Sequence, residues 1–168
     1  MDSKAKRELR RLLRDIQACR DAGDLKAQYE LCEQAYPYLE SYISQEEQGI
    51  FEVSPVVEHL ARCYAATINT RGVERICEFI YAGDPTLAFG AFIAERAVKE
   101  LEYASQIFDF VNSHSGITQF AAREKLGIPK ADMANVLRYM EACGVIRRTP
   151  TARTNRLYPG HSTLVVGQ

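Results

Sequence analysis

Three glycines cut the last third of the chain into pieces whose lengths leave few folds open. Gly116, Gly127 and Gly144 separate an apolar stretch ending near Val111, a short piece reaching Leu126, a longer amphipathic piece from Lys130 to Cys143, and a final arginine-bearing stretch. Glycine ends helices because, lacking Cβ, it accepts positive φ. Thr118 is placed to cap the short piece, since its hydroxyl can accept an N–H left unpaired in the first helical turn. Gly127-Ile128-Pro129 reads as a tight turn. Met133, Val136, Leu137 and Met140 then recur in steps of three and four, one apolar helical face. Val145-Ile146-Arg147-Arg148 reads as a strand, residues 149–155 as a polar hairpin tip, and Arg156-Leu157-Tyr158 as the returning strand.

Helix, short strand, helix, glycine turn, helix, strand, basic tip and strand, in that order, resembles the winged helix-turn-helix family. The resemblance covers about residues 103–160. Its landmarks are Ile117-Thr118, Leu126-Gly127-Ile128, Leu137, Met140-Glu141 and Cys143-Gly144-Val145-Ile146. One position departs from the pattern. The family usually places a large aliphatic residue and then alanine where this chain has Ala122 and Arg123, and Phe120 is expected to supply the missing bulk. The resemblance implies DNA binding, with helix 130–143 in the major groove.

The residues support that implication independently. A helix fits the major groove, and its outward side chains reach base edges and phosphates. In projection Lys130, Asp132, Ala134, Asn135 and Arg138 face away from the apolar side. Lys130 and Arg138 suit phosphate or guanine, and Asn135 suits adenine. Ala131 and Ala134 permit close approach, while Asp132 can accept from cytosine but repels phosphate nearby. Arg147, Arg148, Arg153, Asn155 and Arg156 make the hairpin a candidate wing along the backbone or in the minor groove. Thr118 and Gln119, with the N–H groups that open their helix, can hold a phosphate.

Charge is distributed to match. Residues 1–22 carry 7 basic and 4 acidic side chains, residues 23–103 carry 6 and 14, and residues 104–168 carry 8 and 4. The basic ends suit a polyanion and the acidic middle would repel one.

Residues 1–102 read as helices. Leu9, Leu12, Leu13, Ile16 and Cys19 form one stripe, and Gly23-Asp24 is a stop followed by a cap. A second helix spans about 25–45, with Pro37 expected to kink or split it. Ser54-Pro55 is expected to start a third, reaching about residue 67, after a loop at 48–55. A fourth covers about 72–81. Asp84 repeats the capping arrangement, and a fifth starts near Pro85, with Leu87, Ala91, Ala94, Val98 and Leu101 on one side. Gly23-Asp24 with Ala27, Tyr29 and Ala35 faintly resembles a tetratricopeptide hairpin, but no period near 34 repeats. Tyr36, Tyr38, Tyr42, Tyr64, Tyr81, Phe89 and Phe92 are expected to build the helical core.

No enzymatic signature emerges. His59, His114 and His161 have no neighbours at ligand spacing, and the five cysteines form no C-x-x-C. Phosphate-binding glycine motifs are missing from the sequence. No stretch is long and apolar enough for a membrane span, and the charged start does not suit a secretory signal. The expected protein is cytoplasmic, without cofactor or metal. It is mainly α, with a helical region at 1–102, a winged helix-turn-helix with a small β-hairpin wing at 103–160, and a tail at 161–168 in which Leu164-Val165-Val166 can dock as a strand. Its expected function is sequence-specific binding of double-stranded DNA, as a transcriptional regulator or a plasmid or phage control protein. A homodimer is expected, paired through the stripes of Leu9, Leu12, Leu13 and Ile16 and of Leu87, Ala91, Ala94, Val98 and Leu101. The alternative is an assembly subunit with helical repeats, whose terminal winged helix binds protein and whose acidic helices take a partner. It resembles proteasome-lid-type subunits in its order of helices first and winged helix last.

Overall fold

The computed structural model describes residues 3–43, 49–82 and 88–162. Five helices come first: α1 (Ser3–Ala22), α2 (Leu25–Ile43), α3 (Gly49–Ala66), α4 (Thr70–Ala82) and α5 (Ala88–Ser113). After them come β1 (Ile117–Thr118), α6 (Gln119–Leu126), α7 (Lys130–Ala142), β2 (Ile146–Pro150) and β3 (Asn155–Pro159). The chain is thus mainly helical with a small C-terminal sheet. The strands are antiparallel in the order β1-β3-β2, with Ile117 opposite Leu157 and Arg148 opposite Leu157 on the other side.

The stripe on α1 forms because it has something to bury against. Leu9, Leu12 and Ile16 are buried with Cys32, Ala35 and Leu39 of α2, Leu60 and Tyr64 of α3, Val73 and Ile76 of α4, and Ile93 and Ala97 of α5. The surface on which the dimer was expected is therefore largely covered by the chain itself. Ala94 of the second stripe is buried too and Leu101 partly so, whereas Val98 is exposed and Leu87 lies outside the described residues. The α1–α2 turn follows the sequence: Gly23 takes φ 73°, and the Asp24 carboxylate accepts from the Ala27 N–H at 3.0 Å.

Two prolines depart from expectation. Pro37 does not split α2, and Pro55 lies inside α3 rather than at its start. A proline within a helix removes one N–H bond and crowds the preceding turn. Here Leu39 and Val56 are buried near these prolines, so packing holds each helix together across its weak point. The loop expected at 48–55 is helix from Gly49 onward. Asp84, the start near Pro85, Phe89's surroundings, Tyr42's side chain and the strand expected at 164–166 lie outside the described residues. Of the aromatics expected inside, Tyr64 is buried and Tyr36 and Tyr38 partly so, but Tyr81 and Phe92 are exposed.

A second core holds the C-terminal elements: Ala104, Ile107 and Val111 of α5, Ala122, Ile128, Met133, Val136, Leu137, Tyr139, Met140, Ile146 and Leu157. Cys63 and Ala66 of α3 belong to it as well. Both α3 and α5 therefore serve two cores. The division expected at 102/103 falls in the middle of α5, which runs unbroken from one core into the other. Phe120 does not supply bulk to α6. It is 60% exposed, and Ala122 makes the buried contact instead. An alanine suffices there because the large side chains come from α7.

Candidate nucleic-acid interface

The helix-turn-helix is set by its turn. Thr118, in extended conformation, accepts from the Ala121 N–H at 3.2 Å and so starts α6. Gly127 ends it at φ 65°, a left-handed value that would strain a residue with a Cβ, and its N–H returns to the Arg123 carbonyl. Ile128 is buried beneath the turn, and α7 begins after Pro129.

Three faces can be distinguished on α7. Met133, Leu137 and Met140 fill the second core, as their spacing predicts. A second face meets the helical region. Tyr139 is 6% exposed, with its ring 5.3 Å from that of His59 on α3 and its hydroxyl 3.3 Å from His59 Nδ1. His59 Nε2 lies 3.5 Å from Cys63 Sγ. Burial depresses His59 to about 4, with Arg62, Arg138 and Arg20 adding to the effect, so the ring is neutral near pH 7. Its two ring nitrogens thus face the Tyr139 hydroxyl and the Cys63 sulfur. The Arg62 guanidinium lies 5.3 Å from the Tyr139 ring and bonds Glu100 at 3.2 Å. Asp132, expected to face outward, is half-buried and bonds Lys99 of α5 at 3.0 Å. That contact raises the Lys99 ammonium above its ordinary value.

The third face is open. Lys130, Ala131, Ala134 and Arg138 are exposed, and Asn135 is half-buried at its edge. Glu141 lies on the same side, three residues after Arg138 and seven after Ala134. Glu141 anchors the hairpin. Its carboxylate accepts from Arg148 Nε at 2.8 Å, Arg148 Nη2 at 2.5 Å and the Arg148 backbone N–H at 3.3 Å. Arg148 is therefore committed to positioning the hairpin. At the other edge Asn155 Nδ2 donates to Gln119 Oε1 at 3.4 Å, tying β3 to the start of α6. Fixed at both ends, the hairpin exposes Arg147, Arg153 and Arg156. Arg147 lies 4.8 Å from the Tyr158 ring, and Arg156 donates to the Gly116 carbonyl at 2.8 Å.

The structure thus brings Lys130, Ala134, Asn135 and Arg138 together and sets the hairpin on their flank. The side chains of Thr118, Gln119, Asn155 and Arg148 are engaged in capping and clamping. Of the acidic groups among residues 104–162, Glu124 pairs with Arg123, Asp132 with Lys99 and Glu141 with Arg148. Lys125, Lys130, Arg138, Arg147, Arg153 and Arg156 have no ion pair among the described residues.

Sequence reading missed the second face of α7. Val136, Tyr139 and Cys143 follow steps of three and four, a short apolar stripe beside the core one. A helix with two adjacent apolar stripes has two neighbours, and that was the available signal. Comparison with family models, curated proteins and solved structures finds no significant match.

Proposed function

We propose that this chain is a double-stranded DNA-binding protein whose C-terminal unit works as a winged helix-turn-helix. The third face of α7 enters the major groove and the hairpin arginines grip the backbone. One observation carries the reading: nearby acids are paired while six cations are left without ion pairs beside a face of small residues. Pairing Asp132 with Lys99 and Glu141 with Arg148 offsets the two acids on α7 that would oppose phosphate. Asn135 and Lys130 read bases, Arg138 reads or grips, and Arg147, Arg153 and Arg156 contact phosphate or the minor groove. Regulation of transcription is the use such sequence-specific binding would have.

A second reading, protein assembly through this unit, draws support from Phe120. It is exposed on α6 with the Arg123 guanidinium 5.2 Å from its ring. An apolar side chain there suits a protein partner better than a phosphate.

Selection of bound duplexes from a random pool, followed by titration of the preferred site, separates the readings. Asn135→Ala and Lys130→Ala are each expected to cost about 1–3 kcal/mol on the preferred site and much less on random duplex. Arg153→Ala is expected to weaken both evenly. Equal losses on both DNAs for the α7 variants would remove base reading from α7. Loss of partner capture on Phe120→Ala, with no duplex bound, would favour assembly.

A further inference from the structure

The geometry points to a binding site for a small organic anion in the cleft where α7 meets the helical region. The cleft has a volume of about 420 Å³ and is walled by the end of α1, the α1–α2 turn, α2, α3 and α7. That size falls within the range of small-molecule sites. It is a seam between elements far apart in sequence, with Arg20, Gln28, His59, Arg62, Arg138 and Tyr139 converging on it.

Two buried polar atoms there lack partners. Gln28 is 4% exposed, and its Oε1 has no hydrogen bond. The Arg62 Nε is likewise buried without an acceptor. A buried polar group left unpaired costs about 1–3 kcal/mol, so a small side-chain shift that opens either atom to the cleft is favoured by an occupant that supplies the missing partner. Gln28 Oε1 asks for a donor and Arg62 Nε for an acceptor.

Charge specifies the acceptor. Of the charged groups lining the cleft, Glu58 is bonded to Arg96 at 2.7 Å and Arg62 is balanced by Glu100. Arg20 and Arg138 have no ion pair among the described residues. The cleft therefore keeps an excess of positive charge where α1 and α7 meet the acidic helical region. The fitting ligand carries an anionic group for the arginines and an N–H or O–H donor for Gln28. Small hydroxycarboxylates and the hydrogen phosphate ion share that chemistry. Arg138 belongs both to this cleft and to the open face of α7, so an anion that recruits it competes with DNA. The competition rests on the DNA-binding reading, whereas the site itself does not.

The test uses the isotopically labelled full chain, titrated separately with glycolate and inorganic phosphate against chloride at matched ionic strength, and followed by NMR. Saturable shifts are expected at Gln28, Tyr139 and the Arg62 Nε–H. Arg20→Ala, an exposed change that leaves the core untouched, and Gln28→Leu should each weaken binding at least fivefold. No saturable shift with either probe, or affinity unchanged in Arg20→Ala, would overturn the site. Displacement of duplex DNA by the bound probe in the wild type, but not in Arg20→Ala, supports the coupling through Arg138. Equal displacement in both proteins overturns that coupling. If no duplex binds at all, the DNA reading fails while the NMR titration still decides the site.

Discussion

In α2 and α3 the chain carries Pro37 and Pro55 through unbroken helices, whereas the turns that follow α5, α6 and α7 each carry a glycine at positive φ: Gly116, Gly127 and Gly144. The two regions also differ in charge, acidic in residues 23–103 and basic in 104–168. One has its architecture written locally, in caps and turns. The other has such a turn at Gly23-Asp24, but at its prolines it depends on long-range packing that overrides local preference. Yet they are not separate bodies, because α3 and α5 contribute to both cores. The comparison teaches that local signals define an element's ends, and shared helices define which elements pack together.

The strongest challenge to this coupling is Tyr139→Ala. Removing a buried aromatic from the seam between α7 and α3 is expected to cost about 3–5 kcal/mol. If the cores are one cooperative unit, denaturant unfolding watched by helix signal and by tyrosine fluorescence shifts together in a single transition. Two separated transitions would mean that the regions fold independently.

Next in size is the pH dependence from His59. Its folded pKa of about 4 lies below the ordinary value of 6.5. The unfolded state therefore binds the proton first as pH falls. The neutral ring's contribution to stability is complete above about pH 6.5 and is lost progressively toward pH 4. The gap corresponds to about 3 kcal/mol. Stability measured from pH 7 to 4 should fall more steeply in the wild type than in His59→Gln, and parallel curves would contradict a buried neutral histidine facing Tyr139 and Cys63.

The smallest effect tests local punctuation. Thr118→Ala removes the α6 cap and is expected to cost about 1 kcal/mol. The loss should appear equally with and without DNA, since the hydroxyl is bonded to the Ala121 N–H. A loss seen only in DNA affinity would give Thr118 back to the phosphate.

The C-terminal elements were legible because periodicity, caps and glycines agreed there, and the expected order of helices and strands is the one found. The open face of α7 was legible for the same reason, as Lys130, Ala134 and Arg138 fall opposite Met133, Leu137 and Met140. Asp132 was misplaced, and the engagement of Arg148 went unseen, because their partners, Lys99 and Glu141, depend on which elements meet. Phe120 was misplaced because a missing aliphatic at Ala122 looked like a vacancy, when α7 already filled the space. The helical region's boundaries were harder to read, since apolar residues there serve two cores and no single stripe identifies the neighbour.

The central claim is that the cations without ion pairs on α7 and the hairpin bind duplex DNA. The salt dependence of duplex affinity, measured on the full chain between about 50 and 200 mM salt, tests it most directly. With Arg148 clamped by Glu141, roughly four to five phosphate contacts remain, and log affinity should fall against log salt with a slope of about -4. Arg153→Ala should make that slope shallower by about 1. Absence of duplex binding even at the lowest salt, or an affinity indifferent to salt, would contradict the account.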